Sequence, residues 1–177
     1  MKNRFVNYGA VLLIIAAVSA GILAMVNDFT KTVIRDNEIA AVNSARKNVL
    51  SSAETFKEAE VINAGGLEFI PGFNTAGELT GYVVSVSENG YAGAINFVLG
   101  IEKDGKIAGL DIIGSQETPG LGAKIMDKPW QAIWAGRDSS YVFNKSTDAF
   151  AGATISPTAV YTGMMRALTV YDKEVRK

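Results

Sequence analysis

The chain of 177 residues contains no cysteine and no histidine. Thiolate and imidazole ligands are therefore absent, which excludes iron–sulfur clusters, haem and the usual structural zinc sites. The same absence excludes catalytic triads of the Ser-His-Asp kind and Cys-His nucleophiles. Any redox chemistry must then be carried by an organic cofactor, and we expect no resident metal.

An excess of charge of either sign is also missing. The chain has 17 Lys and Arg against 18 Asp and Glu, a formal net charge of −1. Proteins that bind nucleic acid concentrate basic residues on one face. We therefore expect no nucleic-acid partner. The length suits one domain of ordinary size once a membrane segment is set aside.

Charge is absent altogether from residues 5–27, and residues 9–27 are almost wholly apolar. About 20 such residues cross the hydrocarbon layer of a bilayer as a helix. We therefore predict a transmembrane helix over residues 9–27, preceded by a cytoplasmic N-terminus at residues 1–8. Lys2 and Arg4 on this side favour a topology with the N-terminus inside and the domain outside the cytoplasmic membrane.

A cleaved signal peptide is the alternative interpretation of the same stretch. Lys2 and Arg4 precede the apolar run, and Val18-Ser19-Ala20 resembles a cleavage site between small residues. The apolar run continues beyond Ala20 to Val26, which favours the membrane anchor.

The rest of the chain predicts an α+β fold. Residues 28–60 place apolar side chains at three- and four-residue steps, which predicts a helical stalk ahead of a domain over residues 61–177. Runs of β-branched and aromatic residues predict strands over residues 79–87, 94–101, 106–113 and 141–143. Asp104-Gly105 between two of these runs is a strong hairpin signal, so the expected centre is an antiparallel sheet.

Two helices are expected to flank this sheet. The first covers residues 123–134, and its predicted buried side chains are Ile125, Met126, Trp130, Ile133 and Trp134. The second covers residues 157–172, with Val160, Met164, Ala167, Leu168 and Tyr171 on its buried face.

The segment of residues 148–157, Asp-Ala-Phe-Ala-Gly-Ala-Thr-Ile-Ser-Pro, leads into the second helix. Ser156 before Pro157 predicts an N-cap and a first helical residue. Thr154 would then lie just outside a helix N-terminus, where free N–H groups and the helix dipole favour a phosphate. On spacing alone, the alternative that these residues only cap an ordinary helix stays open.

The same segment resembles the flavinylation motif Asp-x-x-(Ser/Thr/Ala)-Gly-Ala-Thr-x-(Ser/Thr) of the FMN-binding domain family. The matching residues are Asp148, Ala151, Gly152, Ala153, Thr154 and Ser156. In that family the threonine hydroxyl is esterified to the phosphate of FMN, so the resemblance implies covalent FMN on Thr154. Ala151 stands where serine or threonine is more usual, which affects a neighbour of the acceptor and not the acceptor.

A second signature lies in the loop of residues 114–122, which ends in Glu-Thr-Pro-Gly-Leu-Gly. This stretch resembles the loop that lies against the flavin in the same family. The resemblance implies flavin contacts from Glu117, Thr118, Gly120, Leu121 and Gly122. Thr118 and Leu121 would contact the ring, and the backbone around the glycines would bind its polar edge. Ser115 replaces a histidine that family members often carry.

Two further assignments stay open at this point. Glu117 either adjusts the flavin potential or caps the next helix. Asp148 either orients the turn or helps to bind the divalent metal used when a separate flavin transferase moves FMN from FAD onto Thr154.

Tyr91, Trp130 and Trp134 have rings that suit flavin stacking, but their spacing favours core packing.

With its single span, its two signatures and its length, the chain resembles the G subunits of Rnf ion-translocating electron-transport complexes. The resemblance implies an electron relay in which covalent FMN on an extracytoplasmic domain connects redox centres of other membrane and peripheral subunits. In such complexes the electrons link ferredoxin and NAD, and ion pumping belongs to partner subunits.

Three alternatives remain. The C subunit of the sodium-translocating NADH:quinone reductase carries the same motifs, and a stand-alone anchored flavoprotein fits them as well. From a different class, a non-redox anchored binding domain would use Thr154 only as a helix cap.

Overall fold

The structure is a computed structural model that describes residues 2–176, apart from the side chains of Lys2, Asn3 and Thr32. The terminal residues of the predicted segments 1–8 and 61–177 therefore lie outside the described part. The chain divides into two units, Met1–Ala40 and Ala41–Lys177, which are treated separately.

The N-terminal unit consists of helix α1, which begins at Lys2 and continues to Val49 in the second unit. The apolar side chains between Phe5 and Val26 are exposed. This helix is long and apolar enough to cross a membrane, as judged from its length and composition. The expectation of an N-terminal apolar helix is thus confirmed.

Helix α1 ends at Val49, so the prediction that residues 50–60 are helical was wrong. Leu50 is fully buried, and the N–H of Glu54 donates a hydrogen bond to the Phe73 carbonyl at 2.8 Å. The chain thereby enters the sheet as strand β1, Thr55–Phe56, and then forms a 3₁₀ turn at Glu58–Glu60. A tertiary pairing ends the helix, which local periodicity does not reveal.

The sheet is antiparallel, as predicted. After β1 its strands are β2 (Ile62–Ala64), β3 (Leu67–Phe73), β4 (Leu79–Asn89), β5 (Ala94–Glu102) and β6 (Ile107–Ser115). The order is β1-β3-β4-β5-β6, and β2 also pairs with β3. The predicted hairpin at Asp104-Gly105 is confirmed, since the N–H of Glu102 donates to the Lys106 carbonyl at 2.8 Å.

The hairpin between β2 and β3 was not anticipated as a pair of strands. Its turn residues Gly65 and Gly66 have φ values of 54° and 73°, a conformation that glycine adopts without steric cost. Gly-Gly between apolar residues is a hairpin signal in its own right.

One face of the sheet is covered by helix α4, Ile155–Val170. The buried face predicted for this segment is confirmed, since Val160, Met164, Ala167 and Leu168 of α4 and Tyr171, which follows it, are all at most 2% exposed. They pack with Phe69, Phe97 and Leu99 of the sheet in one apolar core. The helix begins at Ile155 and is followed by a single π turn at Tyr171–Val175.

The opposite face receives the C-terminal end of α1. A Cβ on Gly100 would lie 2.2 Å from the Val49 carbonyl oxygen, and one on Gly109 would lie 2.9 Å from the Val49 Cα. Gly100 and Gly109 face each other across β5 and β6. Their lack of side chains lets the helix end lie directly on the strands.

The predicted helix over residues 123–134 is split in two. A 3₁₀ turn at Gly122–Met126 precedes α2, Lys128–Ala132, which has Pro129 in its first turn. Ile125, Trp130 and Trp134 are buried as predicted, whereas Met126 and Ile133 are 42% and 36% exposed. The prediction for these two residues was wrong because the break at Asp127 changes the helical phase.

The predicted strand over residues 141–143 was also wrong, since this segment has no strand pairing. Tyr141 and Phe143 pack their rings around Trp134 instead, with centroids 6.1 and 6.4 Å away. Helix α3 follows at Lys145–Asp148 and leads into the segment before α4.

Candidate functional site

The two signature segments meet in one cleft of about 250 Å³. One wall comes from the loop after β6, the other from residues 152–156, and Tyr91 of the β4–β5 loop completes it. The lining residues are Glu117, Thr118, Leu121, Gly122, Gly152, Ala153, Thr154, Ile155, Ser156 and Tyr91. Of the predicted site residues, Gly120, Ala151 and Asp148 do not line the cleft.

Leu121 is the apolar side chain that links the two walls. It is 45% exposed, and its Cδ2 atom lies 3.9 Å from the position that a Cβ on Gly152 would occupy. Gly120 and Gly152 have φ values of 77° and 79°, so both turns use a backbone conformation that favours glycine. The side chain that we expected to form an apolar wall therefore lies at the junction of the two segments.

Glu117 ties three segments together from a buried position, with 5% of its surface exposed. Its Oε1 accepts hydrogen bonds from the N–H groups of Tyr91 and Ala92 at 2.8 and 3.1 Å. Its Oε2 accepts a hydrogen bond from the Ser156 hydroxyl at 2.6 Å. Of its two anticipated roles, helix capping is wrong, because the donors to its carboxylate are Tyr91, Ala92 and Ser156 and not the first N–H groups of the turn at Gly122–Met126.

The space around the Glu117 carboxylate is filled. A Cβ on Gly90 would lie 2.2 Å from Oε1, and one on Gly122 would lie 2.6 Å from Oε2 and 2.5 Å from the Ser156 Oγ. Real atoms do not approach so closely, so both positions need glycine for the carboxylate to sit between them.

Thr154 is itself the N-cap residue of α4, with φ −84° and ψ −28°, and its hydroxyl makes no capping bond. Our prediction that Ser156 is the N-cap and Pro157 the first helical residue was wrong. Ser156 lies inside the first turn, because its hydroxyl is bound to Glu117. The Thr154 side chain is half-buried, and the first N–H groups of α4 have no partner within the helix.

Asp148 precedes this segment in the sequence and is fully buried. Its Oδ2 accepts hydrogen bonds from the Tyr141 hydroxyl at 2.7 Å and the Asn144 N–H at 2.9 Å. Its Oδ1 accepts from the Thr147 hydroxyl at 3.1 Å and from the Arg137 guanidinium at 3.3 Å. These contacts fit the anticipated role of orienting the turn.

The electrostatics of Asp148 follow from the same contacts. Burial alone raises the pKa of its carboxyl group, but the hydrogen bonds from Asn144, Tyr141 and Thr147 and the charge of Arg137 outweigh burial. The net result is a pKa below the usual value of 3.8. Asp148 is therefore an anion at neutral pH.

Tyr91 departs from the expectation that it packs in the core, since its side chain is 72% exposed and lines the cleft. Trp130 and Trp134 are buried, so the expectation was right for them. The sequence did hold a signal for the difference. Tyr91 lies in the bend Gly90-Tyr91-Ala92-Gly93, and such bends run over the surface.

A second depression, of about 410 Å³, adjoins the cleft at Thr154 and Ile155. Its other lining residues are polar apart from one alanine: Glu88, Asn89, Lys145, Thr158, Thr162 and Ala159. Thr154 thus lines both the cleft and the adjoining depression.

Two family models match the chain. The FMN-binding domain model covers residues 90–169, which include both signature segments. The model of the RnfG N-terminal region covers residues 1–49, which correspond to the range of helix α1.

Curated relatives match almost the whole chain. The G subunit of the Na(+)-translocating ferredoxin:NAD(+) oxidoreductase complex of Acetobacterium woodii is 34% identical over 189 residues, which cover 93% of this chain and 90% of the relative. The G subunit of an ion-translocating oxidoreductase complex of Vibrio atlanticus is 32% identical, with 95% and 90% covered.

A solved structure is similar in fold. The crystal structure of Shewanella oneidensis NqrC matches with a TM-score of 0.51 and 22% sequence identity. The match covers 60% of this chain and 58% of that chain, less than two thirds of its length. At this identity the likeness concerns the fold, an antiparallel sheet with helices.

Proposed function

The chain belongs to the family of G subunits of ion-translocating oxidoreductase complexes, and from this premise we propose that it relays electrons through FMN held covalently on Thr154. Members of this family are electron-transfer subunits of a translocase, with no separate substrate turnover of their own. FMN supplies the ability to accept and donate single electrons when bound.

The observation that carries the proposal is that the Thr154 hydroxyl makes no capping hydrogen bond. Thr154 nevertheless occupies the N-cap position of a 16-residue helix. It also lies where the two signature segments meet. The alternative in which Thr154 serves only as a cap predicts that its hydroxyl oxygen accepts a hydrogen bond from a backbone N–H of the first turn. A phosphate at this position would meet free N–H groups and the positive end of the helix dipole.

The cleft suits a flat ring that keeps one edge in solvent. Tyr91 and Leu121 are exposed large side chains in its lining, and Thr118 adds a hydroxyl. Its volume of about 250 Å³ is below the roughly 300–1,000 Å³ of pockets that bury most of a ligand. A ring edge left in solvent remains within reach of partner redox centres. Glu117 would act on the ring indirectly, by fixing the loop positions around it.

Attachment requires a flavin transferase that uses FAD. In that reaction the Thr154 oxygen forms a bond to the phosphorus of the FMN half, the hydroxyl proton is lost, and AMP leaves. Gly152 and Ala153 line the cleft beside Thr154 and add no bulky side chain there. Ala151 and Asp148 do not line the cleft.

We further propose that α1 anchors the protein in the cytoplasmic membrane, with the N-terminus inside and the flavin domain outside. Residues 9–27 contain no ionisable side chain, so an ion path would belong to other subunits of the complex. Copurification with several membrane subunits would support the role in a complex, whereas isolation as a lone flavoprotein would favour the stand-alone alternative.

Mass spectrometry of protein made beside an active flavin transferase tests the proposal. We expect one FMN phosphoester on the peptide that contains Thr154 and none in Thr154→Val. Thr158→Val is the matched control, since Thr158 lies one turn later and donates its hydroxyl to the Thr154 carbonyl at 2.8 Å. Unmodified wild-type protein, or flavin retained in Thr154→Val, would contradict the proposal.

A further inference from the structure

The depression that adjoins the cleft at Thr154 contains two charged side chains, Glu88 and Lys145. Glu88 is already neutralised, because its Oε1 lies 2.6 Å from the Arg166 guanidinium. Among residues 2–176, no carboxylate lies within ion-pair distance of Lys145. One uncompensated positive charge therefore remains in the depression that Thr154 also lines.

The backbone that carries Lys145 is held in place by Asp148. Lys145 is the first residue of α3, and Asn144 is the N-cap residue. The Asn144 N–H donates to the Asp148 Oδ2 at 2.9 Å, and the Asn144 side chain accepts from the Ser146 N–H at 3.0 Å. A buried carboxylate thus fixes the position from which an exposed cation extends into the depression.

We propose that Lys145 is the counter-ion of the phosphodiester that joins FMN to Thr154, an inference that rests on the proposed function. A phosphodiester carries one negative charge, and Lys145 supplies one positive charge on a flexible stem that needs no fixed donor geometry. The role of Asp148 in the motif is then partly indirect, since it positions the segment that bears this cation.

The ion pair is tested by comparing thermal unfolding with and without attached flavin. In wild-type protein the ion pair forms only after attachment. Attachment should therefore raise the Tm of wild type by about 1–4 °C more than it raises the Tm of Lys145→Gln. This difference should shrink in high salt, which screens exposed charges. Lys145→Arg should behave as wild type.

Lys103→Gln is the matched control. Lys103 is exposed and follows β5 at the end of the strand remote from Ala94, so its loss makes the same charge change far from Thr154. Its change in Tm on attachment should equal that of wild type. The phosphorus NMR signal of the attached flavin gives a second readout and should move in Lys145→Gln but not in Lys103→Gln.

The outcomes separate the two proposals. Wild-type protein that carries no flavin on Thr154 would refute the proposed function. Flavin on Thr154 with the same Tm change and the same phosphorus signal in wild type and Lys145→Gln would refute the counter-ion alone. Less complete attachment in Lys145→Gln, with both readouts unchanged in the attached fraction, would point to recognition by the transferase and also refute the counter-ion.

Discussion

Two buried carboxylates organise the two walls of the candidate site, and their surroundings differ. Glu117 holds the β4–β5 loop, the signature loop after β6 and the start of α4 with three hydrogen bonds. It forms no ion pair with any side chain that the structure describes. Asp148 holds the segment before Thr154 with bonds from Tyr141, Asn144 and Thr147 and an ion pair to Arg137.

The two carboxylates differ in the kinds of hydrogen-bond donor that face their oxygens. At Glu117 one oxygen meets two fixed N–H donors, while the other meets the Ser156 hydroxyl, which can also accept a bond. At Asp148 each oxygen faces at least one donor that cannot accept, the Asn144 N–H on one side and the Arg137 guanidinium on the other. An amide in place of the carboxylate therefore suits the first site and not the second.

The largest effect is expected for Asp148→Asn. Its NH₂ group must face either Asn144 or Arg137, so one donor loses its partner and Arg137 loses its counter-charge. We expect a loss of about 2–4 kcal/mol in the free energy of unfolding, measured by urea denaturation. Asp127→Asn is the control, since Asp127 is exposed and its side chain makes no capping bond. Equal stability of both variants would show that the buried network contributes nothing.

The pH dependence of stability extends this comparison. The folded-state pKa of Asp148 lies below its usual value of 3.8, so its ionised form is favoured by folding. Its contribution is complete above that usual value and is lost as the pH falls through the lower folded-state pKa. Wild type should therefore lose more stability than Asp148→Asn between pH 5 and the acid limit. Parallel curves for the two proteins would contradict this assignment.

Local periodicity predicted much of the fold. The strands β4, β5 and β6 and the buried face of α4 follow from alternation and from three- and four-residue steps, which depend on neighbouring residues only. The two signature segments likewise directed attention to Thr154, Thr118 and Leu121, which line one cleft.

Contacts between distant segments could not be predicted in this way. Ser156 matches an N-cap pattern, but its hydroxyl donates a hydrogen bond to Glu117 of another loop. Helix α4 therefore begins earlier, at Ile155. The end of α1 at Val49 depends on pairing with β3, and the lost strand at Tyr141 depends on packing around Trp134. Glu117 and β3 are remote in sequence from the segments that they bind, whereas Trp134 is near Tyr141 and acts through ring packing, which strand periodicity does not reveal.

Gly122→Ala, which disturbs the surroundings of Glu117, should lower the free energy of unfolding by less than Asp148→Asn does. The new methyl group would lie 2.6 Å from the Glu117 Oε2 and 2.5 Å from the Ser156 Oγ, so both must move. We expect a cost of about 1–3 kcal/mol in urea unfolding. Gly114→Ala is the matched control, because its nearest neighbour, the Asn96 Nδ2, is 3.5 Å away. A cost no greater than that of the control would show that the loop adjusts freely.

The smallest effect is expected for Glu117→Gln, although Glu117 is almost as deeply buried as Asp148. The amide oxygen can accept from the Tyr91 and Ala92 N–H groups while the NH₂ group donates to the Ser156 Oγ. No donor then faces another donor, and no cation loses its partner, so urea unfolding should show a cost below about 1 kcal/mol. A cost equal to that of Asp148→Asn would mean that the charge of Glu117, and not its hydrogen-bond pattern, holds the three segments together.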